Sequence, residues 1–122
     1  AFGRADVPSQ QCDGGLVVLP HRYTLANRGS IIILAAGQRL PAIYPFRYFA
    51  AEGGLLAYGP DQSDQWRGAA SYVDRILRGE KPGNLPVQTP TKFELVVNMK
   101  TAKALGLSIP PALPLRADEV IE

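Results

Sequence analysis

A chain of 122 residues holds enough apolar surface for one hydrophobic core and is short for two, so one compact core is the working count. Its 13 basic and 11 acidic side chains leave a formal charge of +2, too weak a field to hold a phosphate backbone or an anionic membrane surface, which argues against nucleic acid as a partner. The lone Cys12 forms no internal disulfide and reads as a small half-buried apolar residue, and no window reaches the roughly twenty apolar residues that span a bilayer.

Ala1 to Asp13 is mixed in polarity without a clear period and reads as the end of a helix that begins upstream. Gly15 to Leu19 is a continuous apolar run closed by Pro20, the pattern of an inner parallel strand feeding a loop. His21, Arg22 and Tyr23 then lie just beyond that strand's carboxyl end. Thr24 is suited to cap a helix running to about Gln38, along which Leu25, Ile31, Ile32, Ala35 and Ala36 recur at helical spacing. Its four consecutive apolar residues, Ile31 to Leu34, predict a helix that is deeply buried or partner-facing. Pro41 to Phe46 is the next strand and completes a βαβ unit. Arg47 to Glu52 reads as a short helical turn, broken by Gly53 and Gly54 before a third strand, Leu55 to Tyr58, which Gly59-Pro60 ends.

Asp61 or Ser63 caps the strongest helix of the chain, with Trp66, Ala69, Ala70, Val73, Ile76 and Leu77 on one face, charges largely on the other, and Gly79 as its stop. Glu80 to Thr91 holds Pro82, Gly83, Pro86 and Pro90 and predicts an extended connector. Phe93 to Val97 is a strand covered on both faces, with Glu94 as its one charged exception. Asn98 caps a helix over Met99 to Leu105, Gly106 ends it in the left-handed conformation, and Pro110-Pro111 forbids its continuation. Asp118, Glu119 and Glu122 read as a solvated tail. The whole pattern predicts an α/β protein with a parallel sheet.

In such sheets ligands sit beyond the carboxyl ends of the strands, which singles out the loops Pro20 to Thr24, Tyr44 to Tyr48 and Tyr58 to Asp61. His21, Tyr44, Phe46, Tyr58 and Asp61 are the candidate ligand contacts: rings supply apolar area at low conformational cost, and a carboxylate accepts from an amino or hydroxyl group. A competing reading stands beside each. The rings serve equally as core or edge aromatics, Asp61 as a helix cap, His21 as a solvated loop histidine, and Trp66 as an apolar anchor of its own helix. Chemistry of other kinds lacks a signature: no metal-ligand spacing, no Gly-x-Ser-x-Gly elbow and no phosphate loop occur, so neither a metal, a cofactor nor a catalytic role is expected.

Four blocks carry a family likeness: Gly53-Gly54-Leu55-Leu56-Ala57-Tyr58-Gly59-Pro60-Asp61, Tyr72 to Pro82, Pro90 to Pro111, and Arg116-Ala117-Asp118-Glu119-Val120-Ile121. In this order they resemble the substrate-binding proteins of bacterial ABC transporters, from about Gly14 to the C-terminus. The resemblance implies one lobe of a type I periplasmic-binding fold, a flavodoxin-like three-layer arrangement, with only the C-terminal portion present. It implies lobe-core strands and helix over residues 1–58, a lobe-crossing helix over 59–85, and a returning strand, short helix and tail over 86–122. The Trp66 helix would then belong to the opposite lobe, and its uncovered apolar face favours a homodimer or helix exchange between copies. Function follows as noncatalytic capture of a small organic solute, an amino acid foremost, with sugars and nucleosides as alternatives, for delivery to an ABC permease in the membrane. The implied location is periplasmic or extracytoplasmic. No exported-protein leader is seen at Ala1, which implies a chain read from downstream of its true start. The rival reading is a stand-alone sensory or protein-interaction module built on the same lobe.

Overall fold

The computed structural model describes residues 14–122, so the readings of Ala1 to Asp13 and of Cys12 lie outside the described residues. Five strands form one sheet in the order β1 (Leu16–Val17), β2 (Ala42–Tyr44), β3 (Leu56–Pro60), β4 (Phe93–Asn98) and β5 (Glu119–Ile121). The helices are α1 (Arg22–Ala26), α2 (Arg28–Gly37), α3 (Arg47–Ala51), α4 (Gln62–Leu77), α5 (Met99–Leu105) and α6 (Ala112–Arg116), with a 3-10 turn at Pro82–Asn84. The α/β class expected from the sequence is the one observed. The sheet, however, is mixed: β1, β2 and β3 run parallel, β4 is antiparallel to β3, and β5 is parallel to β4.

Because β1, β2 and β3 are neighbours in chain order, right-handed crossovers place α2 and α3 on the same face. Strand alternation then sends Ala42, Tyr44 and Ala57 to that face, where the buried Val18, Ile32, Ala35 and Phe49 complete the core. Val17, Ile43 and Tyr58 point to the opposite face and are 66%, 41% and 57% exposed. β4 is covered on both faces only in its second half, since Val96 and Val97 are buried while Phe93 is exposed and stacks on Tyr58, with centroids 5.8 Å apart.

Three local expectations are corrected. The first helix is two helices that meet at Asn27, and the cap is His21: its Nδ1 accepts from the Tyr23 amide at 3.2 Å while the Thr24 hydroxyl accepts from the His21 amide at 3.2 Å. This is a capping box in which Thr24 is the reciprocating partner. Of the two alternatives expected for α2 only the deeply buried one fails, for Ile32 faces the core but Ile33 and Leu34 stand exposed. β3 runs through Gly59-Pro60 instead of stopping before it; the β2 ladder ends at Tyr44, so the missing donor of Pro60 interrupts nothing on that side.

The acidic tail is likewise structured. Glu119–Ile121 is the edge strand β5, Asp118 Oδ2 accepts from the Leu95 amide at 2.7 Å, and Glu119 bonds Arg47 at the start of α3. A three-residue strand is below what periodicity resolves; Asp118 and Glu119 are used in contacts, while Glu122 is solvent-exposed as expected.

Asn98 is the buried polar residue of the described core, 4% exposed. Its Oδ1 caps α5 through the Thr101 amide at 3.0 Å, and its Nδ2 donates to the Ala50 carbonyl at 2.8 Å, tying α3 to α5. Gly106 ends α5 at φ 71°, as its place in the sequence predicts. Asn98→Ala leaves an amide uncapped and a buried carbonyl unanswered, a loss of about 2 kcal/mol in urea unfolding.

α4 is bound to the rest of the chain mainly at its ends. Asp61 caps it by accepting from the Ser63 and Asp64 amides at 2.9 and 3.2 Å, Tyr72 donates to the Pro86 carbonyl, and Arg75 pairs with Glu80. No α4 residue is buried, and Trp66 is 75% exposed among the described residues.

Candidate functional site

Antiparallel β4 decides what meets at the carboxyl ends of β2 and β3. Its first residues arrive at the edge where β2 hands over to Phe46 and α3, and where β3 hands over to Asp61 and α4. An open cavity of about 500 Å³ lies there, walled by Phe46 and Tyr48, floored by Ala51, and ringed by Arg47, Asp61, Arg67, Lys92 and Glu94. A second, of about 330 Å³, lies between α4 and residues 88–91, away from the strand ends. The first has the position and the mixture of rings and charges that a small polar solute requires.

Its aromatic wall grows out of the core. Tyr44 stacks on Phe49, Phe49 on Tyr48 and Tyr48 on Phe46, with centroids 5.2, 5.2 and 5.6 Å apart. Tyr44 and Phe49 are 1% and 0% exposed, so the two outer rings are backed by rigid packing and their orientation is preset. Arg28 lies 5.7 Å from the Tyr48 ring centroid and is itself fixed by Glu52 at 2.8 Å.

The charges are unevenly matched. Asp61 pairs with Lys92 at 2.9 Å, and the hydrogen bond from Lys92, followed by the Asp64 amide, holds its carboxyl below the ordinary range. Arg47 is taken by Glu119. Glu94 behaves in the opposite sense: burial first, then the negative charge of Asp61, pushes its carboxyl above the ordinary range.

Of the residues singled out in the sequence, Phe46 and Asp61 line this cavity. Tyr44 stands in the core behind it, Tyr58 lies on the opposite sheet face against Phe93, and His21 caps α1 beyond β1. Arg47, Tyr48, Arg67, Lys92 and Glu94 were not singled out as site residues. Arg47 and Tyr48 fall within the loop Tyr44 to Tyr48 that the sequence points to, and of the other three only Glu94 carries a signal, as the single charge in an apolar strand.

Fold and crevice together define a lobe of the periplasmic-binding-protein type. The chain belongs to the ABC transporter substrate binding protein family, whose model matches residues 5–121. Among solved structures it is similar to a conserved domain protein from Vibrio cholerae O1 biovar El Tor, at 27% identity and a TM-score of 0.82, covering 88% of this chain and 36% of that one. It shares the fold of an ABC domain in complex with L-Trp from Streptococcus pneumonia, at 23% identity and a TM-score of 0.81, covering 89% and 37%. It also shares the fold of the ligand-free, open form of a substrate-binding protein with adhesive properties from Clostridium difficile, at 20% identity and a TM-score of 0.60, covering 87% and 36%. No curated protein matches the chain. The chain thus spans little more than a third of the length of the solved proteins it resembles. No helix among the described residues is long and apolar enough to cross a membrane.

Proposed function

We propose that this chain is the C-terminal portion of a two-lobed, noncatalytic solute-binding protein of an ABC importer, and that Phe46, Tyr48 and Asp61 form its half of the solute site. The observation that carries this reading is the aromatic-walled, mixed-charge cavity at the carboxyl ends of β2 and β3 in a chain of this family. An amino acid with an aromatic or branched side chain is the leading solute, a choice supported by the L-Trp held by the streptococcal relative. His21 is assigned to the rim of the site, and Tyr44 supports the wall from behind. Tyr58, exposed beside Phe93, faces a covering element of the longer protein. The protein works outside the cytoplasm and delivers its solute to a membrane permease.

Residues 1–58 and 86–122 form the lobe, and residues 59–85 cross to its counterpart. That division is supported by α4, whose apolar face finds no burial among the described residues. Solute would favour the closed arrangement by contacting both lobes at once. Isothermal titration with L-tryptophan, L-leucine, glucose and adenosine should therefore show an amino acid bound by the longer two-lobed protein, and bound roughly 100-fold or more weakly by the 122-residue chain. Equal affinity of the two proteins overturns the shared site, and preference for glucose or adenosine overturns the amino-acid assignment. The exposed α4 face also favours a second reading, an interaction module that dimerises through Trp66, Val73 and Leu77. That reading requires a dimer of the longer protein in sedimentation equilibrium.

A further inference from the structure

The ionisable groups of the cavity do not all satisfy one another. Lys92 and Asp61 form one pair, and Arg47 is bound to Glu119 outside the ring. Two groups of opposite sign are left over. Neither the Arg67 nor the Glu94 side chain forms a hydrogen bond or ion pair with a described residue, yet both line the cavity. Glu94 is half-buried, so a carboxylate without a partner among the described residues destabilises the folded lobe until an incoming group completes it. Every charged group that acts on it fails to compensate: Asp61, Asp118 and Glu119 repel it, and Arg47 attracts it but is engaged elsewhere. Arg67 in turn lies close enough to Lys92 to oppose its protonation, which marks that side of the cavity as richer in positive charge.

Building on the solute-binding reading above, we propose that Glu94 and Arg67 are the residues that select a zwitterion, Glu94 receiving the ammonium group and Arg67 the carboxylate of an α-amino acid whose side chain lies along Phe46 and Tyr48. A neutral sugar leaves both charges unanswered. A simple amine or a simple carboxylate leaves one of them so, and an unanswered charged hydrogen-bonding group is costly. Selectivity thus comes from the two side chains that the described residues leave unpaired, beside the already matched Asp61–Lys92 pair.

The test uses the longer two-lobed protein, titrated with L-tryptophan, tryptamine and indole-3-propionate, or with L-leucine, isopentylamine and 4-methylpentanoate if wild type prefers leucine. Wild type should bind the amino acid at least about tenfold more tightly than its amine or its acid. Arg67→Gln should lose about tenfold for the amino acid and leave the amine unchanged; Glu94→Gln should lose about tenfold for the amino acid and leave the acid unchanged. Glu94→Gln should at the same time raise the thermal midpoint at pH 7. The sign follows from linkage: a carboxyl with a raised folded pKa favours the folded state below its unfolded value and loses that contribution as pH rises through the folded one. Wild-type affinity should also fall as pH drops through the raised Glu94 pKa, a dependence absent from Glu94→Gln. Unchanged amino-acid affinity in both variants overturns the assignment with the solute-binding reading intact, as does an equal loss for all three ligands. Failure of wild type to bind either amino acid overturns both.

Discussion

Phe49→Ala should cost about 3–5 kcal/mol, the range for removing a fully buried aromatic ring whose site cannot collapse. Phe49 is 0% exposed, and rings close it off on both sides: Tyr44 lies 5.2 Å away and Tyr48 5.2 Å away, centroid to centroid. The two stacked pairs each add about 0.5–1.5 kcal/mol to the area term, and both disappear with the one side chain. Domain stability is commonly about 5–15 kcal/mol, so the variant loses a large share of what holds the lobe together. Urea denaturation followed by circular dichroism measures the shift in midpoint. Phe49→Leu separates the contributions, since it keeps most of the buried volume and forfeits the stacking, and its expected cost is about 1–2 kcal/mol. A loss below about 1 kcal/mol for Phe49→Ala would mean that the ring is not wedged between its neighbours. The effect also reaches the cavity, because Tyr48 loses the surface that holds it against Phe46.

That aromatic series shows how much of this lobe is legible in its sequence and where legibility ends. Signals confined to a few residues transfer directly: Asn98 caps α5, Asp61 caps α4, and Gly106 stops its helix because each acts on amides or dihedrals within one turn. The same local rules misassign the first helix, since Thr is a far better cap than His by type, and only the pairing of Leu19, His21 and Thr24 in space reveals which one begins the turn. Strand direction is not encoded in periodicity at all. A run such as Phe93 to Val97 alternates its faces identically in either sense, so the reversal of β4 is invisible until it pairs with β3.

The site was hidden for that reason. The loops after β2 and β3 follow from the rule for parallel strands, and they yielded Phe46 and Asp61. Lys92 and Glu94 come to the same edge only because β4 starts there, and Arg67 only because the Asp61 cap sets the direction of α4. Three elements distant in sequence supply the charges, and no spacing within one element announces them. The lone acid in an apolar strand is the one trace, and it gains meaning because Asp61, Asp118, Glu119 and Arg47, the charges that act on it, are all engaged with other partners.

Gly59→Ala should be nearly as damaging as the loss of Phe49, about 3 kcal/mol, for a reason that involves no contact of its own. A β-carbon at that position would stand 1.9 Å from the Pro45 carbonyl oxygen and 3.0 Å from its carbon. Those are backbone atoms, which have no rotamer to escape into, so either β3 or the turn leading to Phe46 must move. Glycine is needed here for close approach, letting the end of β3 pass directly beside the end of β2. That approach is what brings Phe46 and Asp61 to one cavity. The substitution should therefore weaken solute binding beyond what its stability loss explains: titrated in the two-lobed protein at a temperature where the variant remains folded, affinity should drop about tenfold or more. Binding at wild-type strength, with a midpoint within about 0.5 kcal/mol of wild type, would show that the Pro45 turn yields freely and that its closeness to β3 does not build the site.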